Sequence, residues 1–184
     1  MTARAELGIV QAPQIDSALA EPGLSFDDAF RRFAPYVARV GMRILGHGDE
    51  LDDLVQDVFL AAHRGLWRLR DAGAMKGWLA TVTVRLARRR LRARKVRAFF
   101  GLGNPVETER AVDTRAAPDE CALLASIYRI LEGVPTERRI AWVLHRIEGE
   151  PLEQVARMCG CSLATAKRRI AATQETIQAA VSHA

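Results

Sequence analysis

Aromatic residues make up only 6% of this chain of 184 residues, and β-branched runs are scarce beside Ala, Leu and Arg. That composition favours helix throughout. Cysteine is nearly as sparse. Cys121, Cys159 and Cys161 are odd in number and lack framework spacing, which excludes a disulfide scaffold and points to a reducing compartment, the cytoplasm. Long apolar runs are missing too. None reaches the roughly 18 residues that span a bilayer, so membrane insertion is not expected. Residues 1–23 have no apolar core of signal-peptide type, and their Ala, Pro, Gln, Glu and Asp read as a flexible tail. Catalytic constellations are absent as well. His47, His63, His145 and His183 fall in no nucleophile or metal pattern, and no Gly-rich phosphate loop follows a strand, so no enzyme and no cofactor is expected. Cys159-Gly160-Cys161 could be half a metal site, with Cys121 and His145 the nearest completing residues. No second paired motif supports it, and small residues around a turn is the reading adopted.

What the chain does have is core-forming material and clustered charge. Hydrophobic residues reach 49%, enough to bury real cores. Lys and Arg number 27 against 22 Asp and Glu, for a net charge of +5 and a pI near 9.6. The excess is modest, so its distribution matters more than its size.

Apolar residues recur at helical spacing along most of the length. Phe26, Phe30, Phe33, Val37, Val40 and Ile44 form one stripe, after a capping box at Ser25 and Asp28. Pro35 interrupts that stripe, and an interior proline costs about 3 kcal/mol, so a kink or two abutting helices is expected. A second helix over about 49–69 buries Leu51, Leu54, Val55, Val58, Phe59, Ala62 and Leu66. Asp49, Glu50, Asp52 and Asp53 crowd its first turn, where the helix dipole favours anions, and Gln56 and Asp57 extend the polar face. The acidic cluster therefore reads equally as dipole complement and as protein-binding surface.

A third helix, about 74–97, changes character halfway. Met75, Trp78, Leu79, Val82 and Leu86 keep core spacing. Then Arg85, Arg88, Arg89, Arg90, Arg92, Arg94, Lys95 and Arg97 fall within thirteen residues. Like charges at that density repel, and a polyanion would relieve them with release of counterions. An anionic membrane would compete, but the segment lacks the bulky apolar face of an interfacial helix. Residues 99–118 carry a stop and no stripe, and read as a linker; Phe99 and Phe100 either cap the first core or dock on a partner.

Beyond the linker, Leu123, Leu124, Ile127, Tyr128 and Leu131 give one helix, and Ile140, Val143, Leu144 and Ile147 a second, with Pro135 at its first position. Two short helices follow. Pro151 opens one with Leu152, Val155 and Ala156 inward. Gly160 allows a sharp turn. Ser162 caps the last, with Leu163, Ala166, Ile170, Thr173 and Ile177 inward. This is a helix-turn-helix, leaving Thr165, Lys167, Arg168, Arg169 and Ala172 for phosphates and base edges.

The block Asp53-Leu54-Val55-Gln56-Asp57-Val58-Phe59-Leu60, then Trp67, then Met75-Lys76-Gly77-Trp78-Leu79, resembles region 2 of extracytoplasmic-function (ECF) sigma factors in the sigma-70 family. Phe33-Ala34-Pro35-Tyr36 matches the opening helix of that region. Val134 through Arg138 and Leu152 through Ile170 resemble region 4. The resemblance implies an all-α chain of two small helical domains: a tail over 1–23, region 2 over 24–98, a flexible linker over 99–118 and region 4 over 119–184. It implies a subunit that binds core RNA polymerase and directs it to promoters. Asp53, Gln56, Asp57 and Phe59 would dock on the clamp helices of the largest subunit, with the flap as a further contact. Lys76, Trp78, Arg85, Arg88, Arg89 and Arg92 would engage and help melt the −10 element. Trp78 also fits the core stripe. Arg146, Thr165, Lys167, Arg168 and Arg169 would meet the −35 element. Such factors are commonly held inactive by an anti-sigma protein. Arg85 and Arg89 stand where the family often has Asn and Asp, and Ala172 where it often has Arg, which bears on the promoter sequence rather than the class. A stand-alone helix-turn-helix regulator is the alternative, and it leaves the acidic block and the second basic helix unexplained.

Overall fold

The computed structural model describes residues 26–63, 72–101 and 118–182. The tail over 1–23, Ser25 of the capping box, Trp67 and most of the linker lie outside those residues. Among the described residues all the regular elements are helices: α1 (Phe26–Leu45), α2 (Leu51–His63), α3 (Ala72–Phe99), α4 (Pro118–Gly133), α5 (Thr136–Trp142) running into a π-helical turn (Val143–Ile147), α6 (Leu152–Cys159) and α7 (Leu163–Ser182).

From Phe33 onward the apolar stripe of α1 faces inward as its spacing requires, with Phe33, Val37, Val40 and Ile44 buried, whereas Phe26 and Phe30 at its start are exposed. Two abutting helices do not form at Pro35: one helix runs across it. Arg31 and Pro35 both lie on the exposed side of the helix, where a carbonyl left unpaired by proline can be met by water. Helix α2 packs Leu54, Val58 and Phe59 against this stripe. The two backbones come close at Gly41, where an added Cβ would stand 2.7 Å from Leu54. Helix α3 contributes Met75, Leu79, Val82, Val84, Ala87 and Leu91.

The second half follows the same logic. Pro135 and Pro151 precede α5 and α6 as their N-caps, one position earlier than a first helical residue. Gly160 has φ +64°, the left-handed conformation that only glycine adopts without cost. The Cys161 amide then reaches the Ala156 carbonyl and the Gly160 amide the Arg157 carbonyl, closing α6 with a Schellman-type turn. Ser162 Oγ accepts the Thr165 amide and starts α7. Cys159 is buried beside the turn, and its thiol is pushed up to about 11 by burial. No cluster of metal-ligating side chains exists among the described residues. Cys159 and Cys161 flank Gly160 at that turn.

The two halves do not stand apart. Their buried residues form one cluster that runs from α1–α3 into α4–α7. Helix α3 lies against α5 and α6, and α1 against the π-helical turn.

Candidate nucleic-acid and protein interfaces

On α2, Asp53, Gln56 and Asp57 are exposed. Phe59 is only 2% exposed. Its ring lies edge-on beneath Phe30 at 4.7 Å and Phe26 at 6.3 Å, so it supports the surface from below and does not present itself. Beside it runs an apolar groove of about 510 Å³, lined by Phe26, Phe30, Val55, Gln56, Phe59 and Leu60. Asp57 is not free: Arg90 donates to its carboxylate at 2.7 Å. Glu50 also departs from its expected role. Its side chain turns from the α2 dipole to α3, accepting from Arg94 at 3.3 Å and Arg97 at 3.2 Å, with Arg90 3.8 Å away. Burial would raise its carboxyl pKa, but the Arg94 hydrogen bond and the charges of Arg94, Arg97 and Arg90 outweigh that and hold it below its ordinary value.

The basic half of α3 therefore does not wait for a polyanion. Internal acceptors already relieve its repulsion. Arg92 donates to Glu137 at 2.8 Å. Arg88 Nε stands 3.1 Å from the same carboxylate, while its NH2 group donates to the Cys159 carbonyl at 2.9 Å. Arg94 reaches the Leu45 carbonyl at 3.1 Å, and Lys95 the Val134 carbonyl at 2.6 Å. Arg85 and Arg89 remain exposed, with no ion pair among the described residues. Lys76 sits 4.9 Å over the Tyr36 ring, a cation–π contact. Trp78 is half-buried and packs on the core. Phe99 and Phe100 are 84% and 68% exposed, so they do not cap the first core.

On α7, Lys167 and Arg168 are exposed and Thr165 is half-buried at the first turn. Arg169 differs from its neighbours: it lies 3.5 Å from Glu137. Arg146 is exposed on the π-helical turn.

One centre escaped the sequence reading. Helix α1 ends with carbonyls that have no intrahelical partner. Arg139 of α5, 5% exposed, donates to Ile44 at 3.1 Å and to Leu45 at 2.9 Å. The Tyr128 hydroxyl donates to Arg43 at 3.0 Å. A cation from the second half thus caps the negative end of a helix in the first. Burial lowers the Arg139 pKa to about 10, which leaves it charged at neutral pH. Gly46 makes room: its φ is +79°, and an added Cβ would lie 2.7 Å from the Arg139 guanidinium and 3.0 Å from the Tyr128 ring. Nearby, Glu148 is 2% exposed at its side chain and pairs with Arg43 at 2.8 Å and Arg39 at 3.4 Å. Tyr36 is pushed up to about 12 by burial and by the charges of Glu150 and Glu148. A signal for Arg139 existed. It shares a four-residue spacing with Val143 and Ile147, so a charged residue interrupts an apolar stripe.

Residues 29–97 match the family model for sigma-70 region 2, and residues 124–173 that for sigma-70 region 4. The chain is 32% identical to the ECF RNA polymerase sigma factor SigM of Mycobacterium tuberculosis, over 80% of this chain and 72% of that one. It is 30% identical to the RNA polymerase sigma factor CarQ of Myxococcus xanthus, over 79% and 82%. Among solved structures, the sigma factor RpoE in complex with the anti-sigma factor NepR from Bartonella quintana superposes with a TM-score of 0.65. That likeness covers 85% of this chain and 96% of that one at 21% identity, and speaks for the fold.

Proposed function

The chain belongs to the ECF sigma factors of the sigma-70 family, and from that premise we propose how its two halves divide the work. A sigma factor directs RNA polymerase to promoters and starts transcription there; it is a binding subunit and carries out no reaction of its own. Residues 24–98 act as region 2. Asp53 and Gln56 on the exposed side of α2, with the adjoining apolar groove, dock on the clamp helices of the largest polymerase subunit. Arg85, Arg89 and Lys76 meet the −10 element, joined by Arg88 and Arg92 once these leave Glu137. Trp78 positions α3 through the core. Residues 119–184 act as region 4, with Thr165, Lys167 and Arg168 toward the −35 major groove, Arg146 on a flanking phosphate and the polymerase flap as second docking point.

The observation that carries this reading is the pairing of an exposed acidic helix over an apolar groove in one half with a capped helix-turn-helix bearing exposed Lys167 and Arg168 in the other. A stand-alone DNA reader has no use for the first. No helix among the described residues is long and apolar enough to cross a membrane. The cytoplasm is the compartment where polymerase and promoter are found. An anti-sigma protein is the expected regulator.

Asp53→Arg is the clean test of docking, because Asp57 already serves Arg90. The variant should lose co-elution with core polymerase while its helical circular dichroism stays unchanged. Full retention would argue against this surface.

A further inference from the structure

Two aromatic rings stand in water at the end of α3. Phe99 and Phe100 are the most exposed large apolar side chains among the described residues, and Val96 beside them is exposed as well. A single exposed apolar residue is ordinary, but a cluster calls for a ligand. The ring centroids lie 5.4 Å apart with the planes at 86°, an edge-to-face pair. The backbone fixes where they stand. The Phe100 amide donates to the Val96 carbonyl at 3.2 Å and the Gly101 amide to the Ala98 carbonyl at 3.2 Å. Gly101 then has φ +69°, the left-handed conformation that ends a helix. Both rings are therefore carried on the last turn of α3, before the chain leaves it.

Arg85, Arg89, Arg92, Val96 and Phe99 recur every three or four residues, so they share one face of α3. All five are exposed. From Arg89 to Phe99 the helix rises about 15 Å. One face thus runs from cations to rings, and the sequence from Ala72 to Val106 holds no Asp or Glu to interrupt it. Cations beside uncovered aromatic faces match a single nucleic-acid strand, whose phosphates take the charges and whose bases take the rings. A duplex could use only the cations, because its bases are already stacked on one another. A protein partner would have to bring carboxylates for the arginines together with a pocket for both rings.

We propose that Phe99 and Phe100 form a stacking site for an unpaired base of single-stranded DNA, at the end of a strand path set by Arg85, Arg89 and Arg92. This rests on the reading of α3 as a DNA-binding helix and adds a site outside the residues assigned to the −10 element. The site acts after the strands have separated, since only then is a base free to stack.

The test uses the full chain without polymerase. Binding to a short oligothymidylate and to an abasic oligonucleotide of equal length is measured by fluorescence anisotropy at several salt concentrations. The two probes carry the same phosphates, and only the first has bases. The unaltered chain should bind oligothymidylate about tenfold more tightly than the abasic strand. Phe99→Ala with Phe100→Ala should abolish that preference and leave the salt slope unchanged. Phe99→Tyr with Phe100→Tyr should keep it, whereas Phe99→Leu with Phe100→Leu, apolar without a ring, should lose it. Arg85→Ala with Arg89→Ala should weaken both probes alike and lower the salt slope by about 1. Circular dichroism checks that each variant keeps its helices. If the alanine pair at the rings leaves the preference as it was, the stacking site is overturned, and the arginine variant then shows by itself whether α3 still binds phosphate. If the rings carry the preference and the arginine variant changes nothing, the stacking site stands and the phosphate reading of Arg85 and Arg89 falls. An unaltered chain that binds neither probe overturns both. Loss of co-elution with core polymerase in the ring variant, with the base preference intact, assigns the rings to a protein contact and overturns the site as well.

Discussion

Helices α3 and α7 are both basic, and their charges meet different fates. On α3, Arg88, Arg90, Arg92, Arg94 and Arg97 all pair with Glu50, Asp57 or Glu137. On α7, Lys167 and Arg168 face solvent and only Arg169 is engaged. The difference follows from position. Helix α3 lies against α2 and α5, and Glu50 just before α2, Asp57 on α2 and Glu137 on α5 supply the carboxylates, whereas the start of α7 follows the turn after α6. A count of cations therefore overstates what α3 offers a polyanion and describes α7 well.

Several changes would break or sharpen this contrast. The largest effect is expected at Gly46, where the end of α1 meets Arg139 and Tyr128. Gly46→Val meets both a positive φ and a contact under 3 Å, and should destabilise the fold by about 3 kcal/mol or more in chemical denaturation. Gly160→Ala, with a positive φ but open space around it, should cost only about 1 kcal/mol. Equal losses would show that the space taken by Arg139 does not matter. Arg139→Ala comes next. It leaves the Ile44 and Leu45 carbonyls without these donors, for a loss of about 2–4 kcal/mol.

Acid should loosen the α2–α3 side in two stages. The His47 pKa is lowered from 6.5 by burial and by the charge of Arg94. The unfolded chain therefore takes up that proton first, and stability falls as pH drops through about 6.5. The Glu50 pKa is held below 4.5, so its contribution is present above that value and is lost as pH falls through the folded value. Thermal melts should show a lowered Tm in both ranges, and Glu50→Gln should remove the second decline. The smallest effect belongs to Arg92→Ala. Its side chain is 63% exposed, and the change should cost less than about 0.5 kcal/mol while weakening promoter complexes.

Helices, caps and the helix-turn-helix were legible because they follow from local spacing: the α1 stripe, Ser162 before α7, Gly160 at the turn. The acidic face of α2 and the cations of α7 were legible for the same reason. What spacing could not convey is contact between distant segments. Glu137 and Glu148 look like ordinary helix charges until α3 and α1 are set against them, and Asp57 looks free until Arg90 reaches it. At Pro35 the spacing left a kink or two helices open, and one helix spans it with Pro35 on the exposed side, where an interior proline costs less. Phe59, expected both on the buried face of α2 and at the polymerase contact, lies beneath Phe26 and Phe30, which only the packing of α1 on α2 reveals.

The central claim, that this chain directs polymerase to chosen start sites, is tested most directly by run-off transcription. Core RNA polymerase is mixed with the full chain on a library of DNA templates. Transcripts should begin at a small set of positions sharing two spaced sequence elements, and only when both components are present. Random or absent initiation, together with tight sequence-specific duplex binding by the chain alone, would contradict the account.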